Sequence, residues 1–137
     1  GLEYVDLYLV HWPGSSAAKR KETWRAMAEI HRSGRARAVG VSNFMERHIE
    51  GPGSDLVPHV NQCDLHTECQ YTALRKWCAE RQIVWMSYMP FGGQGAPLQR
   101  RGEVVDLAAR LGVTPAQLLL RWNVEMCGVQ IRKAASG

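Results

Sequence analysis

Five short apolar runs in this chain each finish on residues that can do chemistry. Tyr4–Val10 ends in His11-Trp12-Pro13, and Ala36–Val41 ends in Ser42-Asn43-Phe44. His59–Cys63 carries Asn61-Gln62 and runs on to Asp64 and His66. Ile83–Tyr88 closes on Tyr88, and Val129–Ile131 is followed by Arg132-Lys133. A hydroxyl and primary amides offer directed donors and acceptors, and adjacent cations suit a single phosphate. Together with an imidazole, an indole and a phenol ring, they describe a polar, partly aromatic, cation-edged pocket for a phosphorylated aromatic ligand. Each residue alone has a plainer reading. A histidine at a strand end hydrogen-bonds backbone, Ser-Asn makes turns, and Tyr88 packs into a core. Five such ends at once favour the pocket.

These ends matter only if the runs are parallel strands with their tips on one rim. The runs are β-branched or aromatic and bounded by Gly, Pro or polar clusters, the pattern of strands buried on both faces of a parallel sheet. Segments of helical period lie between them. Trp24, Met27, Ala28 and His31 share a face before a Ser33-Gly34 stop, and Leu74, Trp77 and Cys78 repeat at i, i+3, i+4. Val104, Leu107, Ala108 and Leu111 continue the pattern before Gly112. Thr114, Pro115 and Gln117 then open a last helix with a capping box, and Leu118–Leu120 with Trp122 supply its apolar face.

Strand–helix alternation of this kind builds right-handed βαβ units. Five strands and their helices make little more than half of a (β/α)8 barrel, which takes about 250 residues. The chain is therefore predicted to be α/β, a partial TIM barrel of about five parallel strands with outer helices. Residues 1–137 form a single incomplete barrel domain that reads as a piece of something larger. An open five-strand sheet is the structural alternative, but no phosphate loop follows the first strand. Gly92–Pro97 fails the dinucleotide pattern at Leu98 and does not open directly into a helix, so it is expected to be a flexible turn.

The 137 residues are 45% hydrophobic and 22% charged, which excludes collagen, coiled coil and wholesale disorder. No apolar run reaches the ~18–20 residues that cross a bilayer, and residues 1–15 lack the features of a signal peptide, so no membrane association and a cytoplasmic location are expected. Cys63, Cys69, Cys78 and Cys127 show no CxxC or His/Cys zinc spacing, so free thiols and no metal are expected. Lys and Arg exceed Asp and Glu by 17 to 13 and are scattered, which fits a solvated surface rather than nucleic-acid binding.

The runs YVDLYLVHWP, RARAVGVSNF, HVNQCDLH, SYMPFGG, TPAQLLLRWN and VQIRK, in this order, resemble the aldo-keto reductase superfamily, from its fourth to its eighth barrel strand. The resemblance implies a TIM-barrel oxidoreductase that uses NADPH, with NADH the lesser candidate, to reduce small-molecule aldehydes and ketones. His11 stands at the catalytic histidine that orients and polarises the substrate carbonyl, and Trp12 walls the substrate site. Ser42, Asn43 and Gln62 match the residues that hold the nicotinamide carboxamide. Tyr88 matches the ring that stacks on the nicotinamide, and Lys133 the lysine that pairs with the 2′-phosphate.

The family's acid tyrosine, with its lysine and aspartate, belongs to strands that precede Gly1. Tyr4 and Tyr8, inside the first strand, are not substitutes. Thr67 stands where the family has proline, Met89 where it has serine, and Arg132 and Ala134 replace the flanks of the phosphate-binding lysine. The parent protein thus reads as a reductase, and the 137-residue chain alone as inactive. A non-catalytic cofactor-binding barrel and a degenerate fragment are the alternatives. Unpaired edges at Tyr4–Val10 and Val129–Ile131 predict self-association.

Overall fold

The computed structural model describes residues 1–50 and 56–131. Four strands, β1 (Val5–Val10), β2 (Ala36–Ser42), β3 (Val60–Asp64) and β4 (Val84–Tyr88), form one sheet in the order β1-β2-β3-β4. β1–β2 and β2–β3 pair in parallel. Among the described residues the helices are α1 (Ala17–Arg32), α2 (Glu46–Ile49), α3 (Thr72–Glu80), α4 (Gly102–Arg110) and α5 (Pro115–Cys127), with a 3-10 turn at Pro97–Arg100. No helix among the described residues is long and apolar enough to cross a membrane. The chain divides into two compact units, Gly1–Cys63 with Thr72–Trp85, and Asp64–Tyr71 with Met86–Gly137.

The first unit is built on β2. Trp24 and Met27 of α1 bury against Ala36, Val39 and Val41 of β2 and against Phe44. Each large apolar side chain removed from water in this way contributes about 1.5–3 kcal/mol. The Trp24 indole N–H donates to the Leu56 carbonyl at 2.7 Å, so its polar edge is satisfied as its ring is buried. The Ser16 hydroxyl caps α1 by accepting from the Lys19 N–H, and the helix stops at Ser33 as expected. His31 sits at the helix end with Nδ1 3.1 Å from the Ala36 carbonyl. Gly40 is held in the middle of β2 by close approach on both sides. A Cβ there would lie 2.5 Å from the Val60 carbonyl oxygen and 2.8 Å from Leu9 Cδ2.

β1 departs from the expectation of strands buried on both faces. It is the first strand in the sheet order, and its residues alternate between half-buried and exposed, with Tyr8 49% exposed. An edge strand with a partner on one side alone takes this half-solvated pattern.

The second unit packs Phe91, Leu98 and Leu119 together, with Val104, Ala116 and Leu120 around them. Thr114 and Gln117 form the expected capping box. The Gln117 N–H donates to Thr114 Oγ1 at 3.2 Å, and the Thr114 N–H to Gln117 Oε1 at 2.9 Å. Three expectations are corrected here. The Gly-rich segment leads straight into the 3-10 turn, whose Leu98 is fully buried. Gly92, at φ +81, admits no Cβ because one would meet Leu98 Cγ at 2.8 Å, so the turn is packed against Leu98 at this point.

The stripe on α4 is buried only through Ala108. Leu107 is 40% exposed, and Leu111 is 59% exposed because it caps the helix and leaves the helical period. The fifth strand reduces to one parallel bridge, Ser87 to Gln130. The Ser87 N–H donates to the Val129 carbonyl at 2.9 Å, and the Ile131 N–H to the Ser87 carbonyl at 2.8 Å. Arg132 and Lys133 lie outside the described residues.

Candidate active site

β1, β2 and β3 run in parallel, so their C-terminal tips fall at one end of the sheet. The β1 tip continues into His11 and Trp12, both exposed, with ring centroids 5.7 Å apart and a 43° tilt between the rings. The β2 tip ends in Ser42, only 3% exposed, followed by Asn43 at φ +64. That left-handed turn suits asparagine, whose short polar side chain tolerates the conformation. It also aims the amide across the strand ends. Asn43 Nδ2 donates to the His11 carbonyl at 3.0 Å and to Ser42 Oγ at 3.1 Å. The Ser42 hydroxyl donates to the Gln62 carbonyl at 2.8 Å, and the Asn43 N–H donates to the same carbonyl at 3.0 Å. The Ser42 and Asn43 side chains are thereby tied to the main chain at His11 and Gln62, which joins the three strand ends.

Asn61 stands apart from this group. It is fully buried and its Nδ2 donates to the Phe44 carbonyl at 2.9 Å, which fixes the loop after β2 instead of facing a ligand. Tyr88 closes β4 in the second unit. It is half-buried, and its carbonyl accepts from the Leu65 N–H at 3.1 Å. Met89 follows with φ +53 and an exposed side chain.

A cavity of about 330 Å³ opens beside Trp12, between α1 and α2, with Trp24, Val41 and Phe44 in its apolar wall. His11, Ser42, Asn43 and Gln62 do not line it. Arg20 and His48 edge it. The Met45 N–H donates to His48 Nδ1 at 3.1 Å, which requires that nitrogen to be unprotonated. Burial first, then the charges of Arg47 and Arg20, push the His48 pKa below its ordinary value.

The chain matches the model of the Aldo/keto reductase family over residues 1–134. The chain belongs to the aldo/keto reductase family. Aldehyde reductase YPR1 of Saccharomyces cerevisiae is 34% identical over 99% of the chain and 53% of its own length. An aldo-keto reductase of Mycobacterium avium is 37% identical over 98% of the chain and 47% of its own length. Among solved structures, a variant of Gox0644 in complex with NADPH aligns with a TM-score of 0.89 and 34% identity, covering 98% of the chain and 49% of that protein. The chain thus spans about half the length of these relatives, and its parallel sheet with helices corresponds to about half of an aldo/keto reductase barrel.

The order of strand-end motifs made the family legible. Asn43's role as a clasp was not anticipated, although an asparagine directly after an apolar strand is a signal for a left-handed residue.

Proposed function

We propose that the whole protein is an NADPH-dependent reductase of aldehydes and ketones, and that this chain carries the carbonyl-orienting and nicotinamide-holding side of its site. The observation that supports this reading is the hydrogen-bonded joining of the His11, Ser42-Asn43 and Gln62 strand ends. A hydroxyl has one donor and two acceptor positions. Ser42 donates to Gln62 and accepts once from Asn43, which leaves one acceptor position for an incoming N–H. A primary amide carries such N–H groups, and the donor set fits a nicotinamide carboxamide.

In this reading Ser42, Asn43 and Gln62 fix the rotation of that carboxamide and hence the ring face presented to substrate. Tyr88 stacks on the ring, and Lys133 pairs with the 2′-phosphate. His11 donates to the substrate carbonyl oxygen and stabilises the charge that builds there, while Trp12 excludes water beside it. When bound, the reduced nicotinamide supplies the hydride. Aligned reacting carbons lower the barrier far more than any single hydrogen bond, so this seating is a large part of the catalysis.

Fluorescence titration of the chain with NADPH and NADH tests the reading. NADPH is expected to bind more tightly, and Asn43→Ala to weaken it by roughly tenfold. A folded chain that binds neither nucleotide, or binding indifferent to Asn43→Ala, would refute it. We also expect the isolated chain to turn over little or no aldehyde and to self-associate through its exposed edge strand. NADPH-dependent turnover lost on His11→Ala, or a monomeric sedimentation profile, would contradict these two points respectively.

A further inference from the structure

A second group of chemistry-bearing side chains lies wholly within the Asp64–Tyr71 segment, and the reductase reading gives it no role. Strand alternation sends Asp64 and His66 to the same face and Leu65 to the opposite one. Leu65 is fully buried, which fixes that orientation. The chain then reverses through Thr67-Glu68, and His66 and Cys69 form an isolated antiparallel bridge. The His66 N–H donates to the Cys69 carbonyl at 3.0 Å, and the Cys69 N–H to the His66 carbonyl at 2.9 Å. Residues directly opposite in such a pair project their side chains to the same side. The backbone alone therefore brings a carboxylate, an imidazole and a thiol together, and their donor atoms all lie within 4.8 Å of one another.

Several bonds hold the segment in place. The Leu65 N–H donates to the Tyr88 carbonyl, Asn123 Nδ2 donates to the Leu65 carbonyl at 2.6 Å, and Arg101 pairs with Glu68 at 2.6 Å. The imidazole is oriented as well. The Glu68 N–H donates to His66 Nδ1 at 3.3 Å, which turns Nε2 to within 4.0 Å of Asp64 Oδ2. The Tyr71 hydroxyl shares hydrogen bonds with Asp64 and Cys69, and burial followed by the Asp64 charge raises its pKa, keeping it a neutral phenol.

We propose that Asp64, His66 and Cys69 form a three-ligand site for a borderline-soft divalent cation of the zinc class. One oxygen, one imidazole nitrogen and one sulfur are the ligand types zinc takes, at about 2.0–2.3 Å, with a fourth position left to water or an added ligand. Tetrahedral ligands stand roughly 3.3–3.8 Å apart at those bond lengths, so the side chains need to close by no more than about 1.5 Å. Binding exchanges the thiol proton for the metal and releases it to solvent. Magnesium and calcium, which take oxygen ligands, are not expected to occupy the site.

Cobalt(II) titration of the reduced chain tests the proposal. The expected result is one equivalent bound, with a thiolate-to-cobalt absorption band and tetrahedral visible bands that zinc bleaches. Cys69→Ser should remove the charge-transfer band, and His66→Ala should weaken binding by roughly tenfold or more. Cys127→Ser should leave both unchanged. A band that survives Cys69→Ser, or no band at millimolar cobalt, would overturn the site. Should a variant fail to fold, alkylation of the unsubstituted chain decides. Zinc is expected to slow modification of Cys69 and leave Cys127 unaffected, and equal rates at Cys69 with and without zinc would refute the proposal.

Discussion

The two units use asparagine side chains for the same bond in different surroundings. In the first, the half-buried Asn43 clasps the His11 carbonyl at the rim of the sheet. In the second, the fully buried Asn123 donates to the Leu65 carbonyl and accepts from the Ser87 hydroxyl. Water can replace the first bond but not the second. An unpaired buried group bears its full desolvation cost, whereas an exposed one is rescued by solvent. The same residue type is therefore irreplaceable where it is sealed, and exchangeable with solvent where water reaches it.

Substitutions can break or sharpen that contrast. The largest effect is expected from Asn123→Leu, which strands the Leu65 carbonyl and the Ser87 hydroxyl together. It should cost about 3 kcal/mol in urea unfolding, and a loss no greater than that of Asn43→Ala would erase the distinction. Gly40→Ala should cost about 2 kcal/mol, because its methyl meets the Val60 backbone, which can move only with the strand. A near-neutral result would mean that β2 and β3 separate freely at this point. Asn43→Ala should cost about 1 kcal/mol, part of it strain at positive φ. Asn43→Gly should recover that strain without restoring nucleotide binding, which separates conformation from recognition.

The smallest effect concerns pH. His48 holds a pKa below its ordinary value of 6.5, so the unfolded chain takes up a proton more readily than the folded one. Its contribution is complete above pH 6.5 and declines as pH falls from there toward the lowered folded value. His48→Gln should flatten stability across that window, and an unchanged pH profile would remove His48 as the cause.

Features set by adjacent residues were legible in the sequence. The Thr114–Gln117 box and the α1 stop need only their own neighbours, and Val39 and Val41 mark a central strand by their type alone. The meeting of the β1, β2 and β3 ends was legible because parallel pairing puts those three tips at one end of the sheet. Leu107 and Leu111 were misread because a periodic stripe says that a face is apolar, while burial depends on what covers it. The clustering of Asp64, His66 and Cys69 stayed hidden for a related reason. Its spacing matches no familiar ligand pattern until the two-residue reversal puts His66 opposite Cys69.

The Gln62 carbonyl takes both the Ser42 hydroxyl and the Asn43 N–H, and Asn43 in turn grips the main chain at His11. One oxygen atom on β3 thus anchors the end of β2 directly and, through Asn43, the end of β1. A twist of the Gln62 peptide plane would loosen both donors at once, so the three tips respond as a single rigid bracket to whatever settles on them.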